Sequence, residues 1–304
     1  MAVVEVQELY KHYGEIRAVD GLSCEVEEGE IFGMLGPNGA GKSTTVEIVE
    51  GIREMDSGVV RVLGLDPRTD SSRLRNIIGI QLQSTSLYPR LNVLEHLNMF
   101  GQLYERSRDP QEIIDVVGLR ERVSGLAKDL SGGQQQRLSV GLALINDPEV
   151  VFLDEPTTGM DPQARRHLWD VVNGMRDRGK TVLLTTHYME EAEHLCDRVA
   201  IVDHGKIIAL DRPRRLIAEH FSESTITFES DREPDLDGMR RLPAVTSAAS
   251  NDGTVELFSA DISSTIGALL EYAAENEIRI ADLHVRRATL EDVFLKLTGR
   301  GIRD

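Results

Sequence analysis

The glycine-rich loop at residues 36–44 holds the residue types best suited to chemistry in this sequence. It fits the pattern Gly-x4-Gly-Lys-[Ser/Thr] in full. Glycines let backbone N–H groups wrap closely around a polyphosphate, because no Cβ atom obstructs the turn. The Lys42 ammonium group can reach the β and γ phosphates, and the Ser43 hydroxyl group is placed to bind Mg²⁺. The loop therefore predicts a phosphate cradle formed by Gly36, Pro37, Asn38, Gly39, Ala40, Gly41, Lys42, Ser43 and Thr44.

The flanking segments supply the elements that such a loop needs. Ile31–Leu35 is an apolar run that predicts a buried strand, and Thr44–Val49 predicts a helix. The positive end of that helix dipole would point at the bound phosphates. Strand, loop and helix in this order are typical of an α/β domain.

Two further apolar runs end in polar residues that could act on the same phosphates. Val150–Asp154 is followed by Glu155, and the run that begins at Thr181 leads to His187. In open α/β sheets, ligands collect at the carboxyl ends of parallel strands. Asp154 would then hold Mg²⁺, Glu155 would activate the water that attacks the γ phosphate, and His187 would contact that phosphate. Without the glycine loop, such groups are more often surface or structural residues.

Gln83 and Tyr13 each allow a structural and a functional interpretation. Gln83 ends a predicted strand and could carry an amide oxygen to the metal or to the attacking water; its place at the strand exit favours it over Gln81. Tyr13 lies in Lys11–Gly14, which we predict to be a turn between two strands. It is either a turn or packing residue or a flat platform for an adenine base.

A second candidate anion site lies at the end of a helical region. Residues 93–123 have helical spacing and read as an insertion in the α/β pattern. Leu130–Gln134 then precedes another helix. Ser131 is a typical N-cap residue, and the glycines Gly132 and Gly133 leave N–H groups free to bind an anion. A helix cap alone explains the three residues Ser131, Gly132 and Gly133, whereas the whole run favours the anion site.

The composition indicates which kinds of partner and which cellular compartment to expect for this chain. The chain has 34 Lys and Arg residues against 51 Asp and Glu residues, for a net charge of -17. This balance argues against a nucleic-acid partner, which normally requires a basic face. The two cysteines, Cys24 and Cys196, match no metal or redox spacing, which predicts reduced thiols in the cytosol. The sequence shows no signal peptide and no run approaching the roughly 18 apolar residues of a membrane-spanning helix, so we expect any membrane role to go through a partner.

Taken in series, these motifs resemble the ATP-binding cassette (ABC) family of ATPases over roughly residues 1–211. The resemblance assigns an adenine platform, a Walker A loop, a lid glutamine, the family signature, a Walker B strand with its catalytic glutamate, and a switch histidine. In that order the matching positions are Tyr13, Gly36–Thr44, Gln83, Leu130–Gln134, Val150–Glu155 and His187. Thr158–Asp161 falls at the loop that contacts the second cassette, where the family more often has Ser and Leu.

The resemblance implies an α/β fold of the P-loop NTPase class, with a RecA-like core, an antiparallel β subdomain and a helical subdomain at about residues 88–142. It implies ATP and Mg²⁺ as cofactors, with metal contacts from Ser43, Gln83 and Asp154 and catalytic roles for Glu155, His187 and Gln83. Two cassettes would sandwich two ATP molecules in a homodimer or a pair of similar chains. The nucleotide held by one cassette would then contact the other through Ser131, Gly132, Gly133 and Gln134.

The chain after residue 211 predicts a linker at 212–221 and a second domain at 222–304. The order strand-helix-strand-strand-helix-strand is that of the ferredoxin-like split βαβ. Asn251–Gly253 predicts a hairpin turn, and Thr289 is predicted to cap the last helix. The domain resembles the C-terminal extension of cassettes of the daunorubicin and doxorubicin resistance exporter type, most clearly at Leu290–Phe294.

The resulting hypothesis is an ATP-hydrolysing subunit of an ABC exporter, cytoplasmic and peripheral on the inner face of the cell membrane. It would drive a separately encoded permease that exports a hydrophobic drug or lipid-like substrate. The alternative is a non-transport ABC ATPase that acts on nucleic acid or the ribosome, against which the acidic balance and the single cassette weigh. A regulatory binder without turnover is disfavoured by the presence of both Glu155 and His187.

Overall fold

The computed structural model describes residues 1–83, 86–232, 235–251 and 254–299. Within it, two compact units span Met1–Pro213 and Arg214–Leu297. The strands of the first unit are β1 (Ala2–Tyr13), β2 (Ile16–Glu27), β3 (Ile31–Leu35), β4 (Ser57–Val62), β5 (Ile78–Gln81), β6 (Val150–Asp154), β7 (Thr181–Thr186), β8 (Arg198–Asp203) and β9 (Lys206–Asp211). Its α-helices are α1 (Lys42–Val49), α2 (Ser71–Ile77), α3 (Val93–Gly101), α4 (Pro110–Val116), α5 (Gly132–Leu144), α6 (Pro162–Asp177) and α7 (Met189–Leu195).

The central sheet of the first unit has the strand order β5-β6-β7-β3-β8-β9. Neighbouring strands are parallel except for β8 and β9, which form the predicted closing hairpin. Every residue of β3, β6 and β7 is buried. Such uninterrupted apolar strands are typical of a parallel sheet that is covered on both faces.

The register of this sheet aligns the carboxyl ends of four strands. Leu35 at the end of β3 pairs with Thr186 of β7, and Asp154 at the end of β6 pairs with Thr185. Gln81 at the end of β5 pairs with Leu153 of β6. The loops that follow these strands therefore leave the sheet at one edge, as the sequence predicts.

A second, antiparallel sheet of the first unit has the order β2-β1-β4. Its apolar residues share one hydrophobic core with α1 and with strands of the central sheet. The prediction of a turn at Lys11–Gly14 was wrong, because Lys11, His12 and Tyr13 continue β1. Tyr13 pairs with Ile16 across the hairpin, so only the two residues between them turn. The polar side chains of Lys11, His12 and Tyr13 resemble those of a loop in the sequence, but these residues form the more exposed end of strand β1.

The region predicted to be helical contains α3, α4 and α5, with 3₁₀ turns at Arg120–Arg122 and Ala127–Asp129. A capping box between Asn92 and Glu95 opens α3, since each side chain accepts a hydrogen bond from the other residue's backbone N–H group. Asp109 caps α4, with proline at its first position. Local capping thus explains where these helices begin.

The second unit contains α8 (Pro213–His220), β10 (Ser224–Ser230), α9 (Leu236–Met239), β11 (Val245–Asn251), β12 (Thr254–Ser259), α10 (Ile262–Glu275), β13 (Ile280–Arg286) and α11 (Leu290–Thr298). Its antiparallel sheet has the order β11-β12-β10-β13. The predicted order of elements from β10 to β13 is confirmed, and Thr289 Oγ1 accepts a hydrogen bond from Asp292 N at the start of α11. Most of the predicted linker forms the helix α8, in which Leu216 is buried, and its role as a linker stays a prediction. Asp252 and Gly253 of the predicted hairpin turn lie outside the described residues.

Cys24 and Cys196 are both buried and free. Among the described residues, no helix combines the length and the apolar character that crossing a bilayer requires.

Candidate nucleotide-binding and hydrolysis site

The phosphate loop connects β3 to α1, as predicted, and its shape depends on two glycines. A Cβ atom on Gly36 would stand 2.2 Å from the Val202 carbonyl oxygen. Gly41 has a φ of +103°, and a Cβ atom there would stand 2.2 Å from the Ala18 carbonyl oxygen. Only glycine allows this close approach and this backbone conformation, so the loop can curl tightly enough to surround a phosphate group.

Lys42 is buried inside the curl of the loop. Its Nζ atom donates hydrogen bonds to the carbonyl oxygens of Gly36 at 2.7 Å and Pro37 at 3.0 Å. Burial lowers the pKa of Lys42, while the nearby Glu155 and Asp154 carboxylates raise it. The ammonium group therefore lies among carbonyl oxygens that phosphate oxygens can replace.

Asp154 lies at the end of β6, next to the first turn of α1. Ser43 Oγ is 3.4 Å from Asp154 Oδ1, and Thr185 Oγ1 donates a short hydrogen bond to the same oxygen. Burial raises the pKa of Asp154, and the hydroxyl groups of Thr185 and Ser43 oppose this shift. A hydroxyl oxygen beside a carboxylate oxygen is a donor set that suits Mg²⁺. The described residues contain no cluster of three or more His, Cys, Asp and Glu side chains that would hold a metal ion alone.

Glu155 is held by three polar side chains from three different loops. Its Oε2 atom lies 3.3 Å from Gln83 Nε2, 3.1 Å from Thr158 Oγ1 and 3.3 Å from His187 Nδ1. The structure thus brings together Gln83, Glu155 and His187, which the sequence predicted to meet. Thr158 was assigned no role beside Glu155, and its contact follows from a turn that the sequence pattern does not show.

The backbone of Glu155 adopts a left-handed conformation, with a φ of 47°. Its N–H group donates to both the carbonyl oxygen and the hydroxyl oxygen of Thr185, at 3.1 Å and 3.0 Å. Non-glycine residues seldom adopt this conformation, and the surrounding structure must stabilise it. Together with the three side-chain contacts, these bonds fix the direction of the carboxylate. A carboxylate so held can accept a proton from an attacking water.

Gln81 and Gln83 have different environments at the end of β5. The Gln81 side chain is buried, and its Nε2 atom donates to the Leu82 and Asp154 carbonyl oxygens. Gln83 is exposed and reaches Glu155. This placement agrees with the choice of Gln83 as the functional glutamine, and its role stays a prediction.

Tyr13 is tied to the segment that follows α1. Arg53 Nη1 donates to the Tyr13 hydroxyl oxygen at 2.5 Å, and Arg53 Nε donates to Glu47 of α1 at 2.5 Å. The Arg53 guanidinium carbon and the Lys11 ammonium nitrogen each lie 5.5 Å from the centre of the Tyr13 ring. Tyr13 is 41% exposed, so it is accessible from outside, and its role as an adenine platform stays a prediction.

Ser131 caps α5, as predicted. Its Oγ atom accepts a hydrogen bond from Gln134 N at 3.3 Å, and Gln134 Oε1 accepts one from Ser131 N at 3.0 Å. Ser131 and Gly132 are exposed, while Gly133 packs so closely that a Cβ atom would stand 3.2 Å from Ala164 Cβ. Within the described residues, no hydrogen bond joins Ser131 or Gln134 to the phosphate loop of the same chain.

Comparison with known proteins agrees with this geometry. Residues 19–158 match the model of the family described as ABC transporter. The chain is 36% identical to the linearmycin resistance ATP-binding protein of Bacillus subtilis, over 99% of this chain and 100% of the relative. It is 38% identical to the Nod factor export ATP-binding protein I of Ralstonia nicotianae, over 99% and 95%.

The fold has also been seen in solved structures. A bacterial ABC transporter cassette, solved as a dimer, matches with a TM-score of 0.63 and 24% identity. The match covers 69% of this chain and 98% of that chain. The chain therefore belongs to the ABC transporter family, as one of its ATP-binding proteins, and hydrolyses ATP.

Proposed function

We propose that this chain is the ATP-hydrolysing subunit that powers export of a hydrophobic drug or lipid-like compound through a separately encoded permease. The observation that carries the proposal is similarity to a resistance protein and an export protein over 99% of the chain, including the unit after Pro213. The daunorubicin and doxorubicin exporter type is the subfamily we favour. The chain would then lie in the cytoplasm, bound to the inner face of the membrane through its permease. The net charge of -17 favours this function over one on nucleic acid.

If the chain powers export, cells that differ only at Glu155 should differ in how much drug they accumulate. Cells with the parent chain and its permease are expected to retain less daunorubicin than cells with Glu155→Gln, because the variant binds ATP without hydrolysing it. Retained daunorubicin is measured by its fluorescence after loading and washing, at matched expression of the two chains. A fluorescent phospholipid analogue is tested in parallel. Equal retention of both compounds in the two strains would contradict the proposal.

We further propose that Mg²⁺ accompanies the nucleotide and that Ser43, Asp154 and Gln83 hold it. The contact between Ser43 Oγ and Asp154 Oδ1 supports the first two residues. Bound Mg²⁺ would neutralise charge on the β and γ phosphates. Glu155 and His187 would take the catalytic roles, with the water oriented by Glu155 and the γ phosphate contacted by His187.

We also propose a homodimer with two shared ATP sites, or an equivalent pair with a similar chain. Ser131 and Gly132 are exposed, and within the described part of the chain no hydrogen bond joins them to the phosphate loop, which supports a contact to the nucleotide of a second chain. The free N–H groups at the start of α5 suit the γ phosphate. The permease would bring the two cassettes together in the membrane.

Association on ATP binding is the measurable consequence of this arrangement. The Glu155→Gln protein is expected to shift from monomer to dimer when Mg-ATP is added, since the nucleotide then bridges two chains without being consumed. Light scattering coupled to size exclusion gives the mass. Adding Ser131→Arg should keep the protein monomeric while ATP binding, measured separately, persists. A mass unaffected by ATP would contradict dimerisation through the nucleotide.

For the C-terminal unit we propose a ferredoxin-like domain. Between β10 and β13 its strands occur in space in the order fourth, first, third, second, reading from β13, and all neighbours are antiparallel. This arrangement and the intervening helices α9 and α10 support the split βαβ assignment. We place the domain boundaries at 1–211 and 222–304.

A further inference from the structure

A buried carboxyl group lies behind the hydrolysis site without belonging to it. Glu191 of α7 is fully buried, and its Oε1 atom accepts a hydrogen bond from Trp169 Nε1 of α6 at 3.0 Å. Its Oε2 atom is buried without a hydrogen-bond partner in the described part of the chain. Burial raises the pKa of Glu191, while Thr186 and Thr157 lie close enough to oppose this shift. A buried carboxyl group is costly, so its presence calls for a reason.

The two threonines belong to the segments that carry the catalytic residues. Thr157 follows Glu155 by two positions, and Thr186 immediately precedes His187. The hydroxyl oxygen of Thr186 accepts a hydrogen bond from Tyr188 N at 3.0 Å. Glu191 therefore lies between the segment after β6 and the segment after β7.

Helix α6 closes the cluster from the other side. The Arg165 guanidinium carbon lies 4.3 Å from the centre of the Tyr188 ring, and that ring is 4.2 Å from the His187 ring between centres. Trp169 stacks on His194 with ring centres 4.7 Å apart. Helix α6 thus contacts Glu191 through Trp169, and it reaches His187 through Arg165 and Tyr188.

The cluster also contains a complementary pair of unpaired atoms. The Thr157 hydroxyl group is buried and, among the described residues, has no hydrogen-bond partner. It is a potential donor, and the unpaired Glu191 Oε2 atom is a potential acceptor. The Thr157 hydroxyl group already lies close enough to Glu191 to lower its pKa, so a small shift of the segment after Glu155 would complete a hydrogen bond between the two.

We propose that Glu191 is a positioning residue for ATP hydrolysis. It forms a hydrogen bond with Thr157 and thereby holds Glu155 and His187 in the relative positions that hydrolysis requires. The bond between Thr157 and Glu191 forms when nucleotide draws the loop after β6 inward. This favours the competent arrangement, because the ligand and the new bond stabilise the same conformation. The inference rests on the catalytic roles proposed above for Glu155 and His187.

Thr157→Val separates this role from a purely structural one. The substitution removes a hydroxyl group that has no hydrogen-bond partner among the described residues, so a structural role predicts a protein of equal or higher stability with unchanged turnover. We expect instead that kcat falls about tenfold while KM for ATP changes less than about twofold. Phosphate release gives both constants, and urea unfolding gives the stability. An unchanged kcat in the folded variant would overturn the proposal.

Glu191→Gln tests the other partner, with Glu190→Gln as the control. Glu190 is an exposed carboxylate on the same helix, and its loss should leave kcat unchanged. Glu191→Gln should lower kcat to about the level of Thr157→Val. The double variant should be no slower than either single variant, since both remove one bond. Losses that multiply in the double variant would show that the two residues act independently and would contradict the pairing.

The single tryptophan of the chain supplies a direct optical readout. Because Trp169 donates to Glu191, we expect its emission to change when Mg-ATP binds to the Glu155→Gln protein, and this change to be lost with Thr157→Val added. Trp169 emission that does not change when Mg-ATP binds would contradict the coupling between the nucleotide and Glu191. If Glu155→Gln itself kept normal turnover, the proposed catalytic role of Glu155 would fail instead, so the two failures are distinguishable.

Discussion

Replacing Glu155 with Gln is expected to lower the rate of ATP turnover by about two to four orders of magnitude. The amide matches the carboxylate in shape but cannot accept the proton of the attacking water. Gln83, Thr158 and His187 still surround the side chain, and the phosphate loop is untouched. The affinity for ATP should therefore stay within about threefold of the parent, as expected when only a transition-state interaction is lost. Steady-state phosphate release and equilibrium dialysis with labelled ATP measure the two quantities.

Glu149→Gln is the matched control for this experiment. Glu149 is exposed and directly precedes β6, so it lies at the opposite end of the strand that delivers Glu155. The same chemical change there should leave turnover and affinity at the parent values. If Glu155→Gln hydrolysed ATP at the parent rate, another group would have to activate the water.

A second large effect is expected in how the free energy of unfolding depends on pH. Glu50, at the end of α1, is buried, and neither carboxyl oxygen has a hydrogen-bond partner among the described residues. Burial raises its pKa from 4.5 to about 8, and the negative charges of Asp154 and Glu47 contribute to the shift. The folded protein keeps this proton at a pH where the unfolded chain has lost it. Stability from this group is thus fully present below pH 4.5 and is lost as the pH rises to about 8.

Glu50→Gln should remove this dependence. A pKa difference of this size corresponds to a change of about 5 kcal/mol in the free energy of unfolding between pH 4.5 and about pH 8. The variant should be close to the parent in stability near pH 5 and more stable by several kcal/mol near pH 8. Urea unfolding at both pH values, without nucleotide or Mg²⁺, measures the difference. Glu54→Gln, at an exposed position nearby, should show no such change with pH.

An equal effect of Glu50→Gln at pH 5 and at pH 8 would contradict a pKa shift at this residue. The comparison between variant and parent matters more than the parent curve alone, because other buried carboxyl groups also contribute to the pH dependence of the parent. Asp154 is one of these, as burial raises its pKa too. The difference between variant and parent removes the contributions of groups that do not interact with Glu50.

The sequence located the residues that lie at strand ends. The loop after β3, Glu155 after β6 and His187 after β7 could be placed together because parallel strands expose their carboxyl ends at one edge. Ser131 could be predicted as a cap because its hydrogen bond is formed within four residues. These features depend on local spacing and on one rule of sheet topology.

Other features depend on contacts that local spacing does not encode. The hydrogen bond between Trp169 and Glu191 joins α6 to α7, and nothing in the sequence of either helix marks those residues. Glu50 looks like any polar residue near a helix end, since its burial depends on how that end packs. The helix α8 lies inside the predicted linker, and its helical conformation was not predicted because the change in composition at residue 212 outweighed Pro213, which suits the first turn of a helix.

The cap at Ser131 shows how one atom can meet two demands. A serine hydroxyl group has two acceptor lone pairs and one donor proton. The cap on α5 uses a lone pair, to receive the N–H of Gln134, and leaves the proton available for an outside oxygen. Aspartate would serve the helix equally well, but it offers no proton and would repel a phosphate. Serine and aspartate therefore suit the helix equally well at this position, and only serine also suits a phosphate ligand. Selection for function can act there without changing the stability of the helix cap.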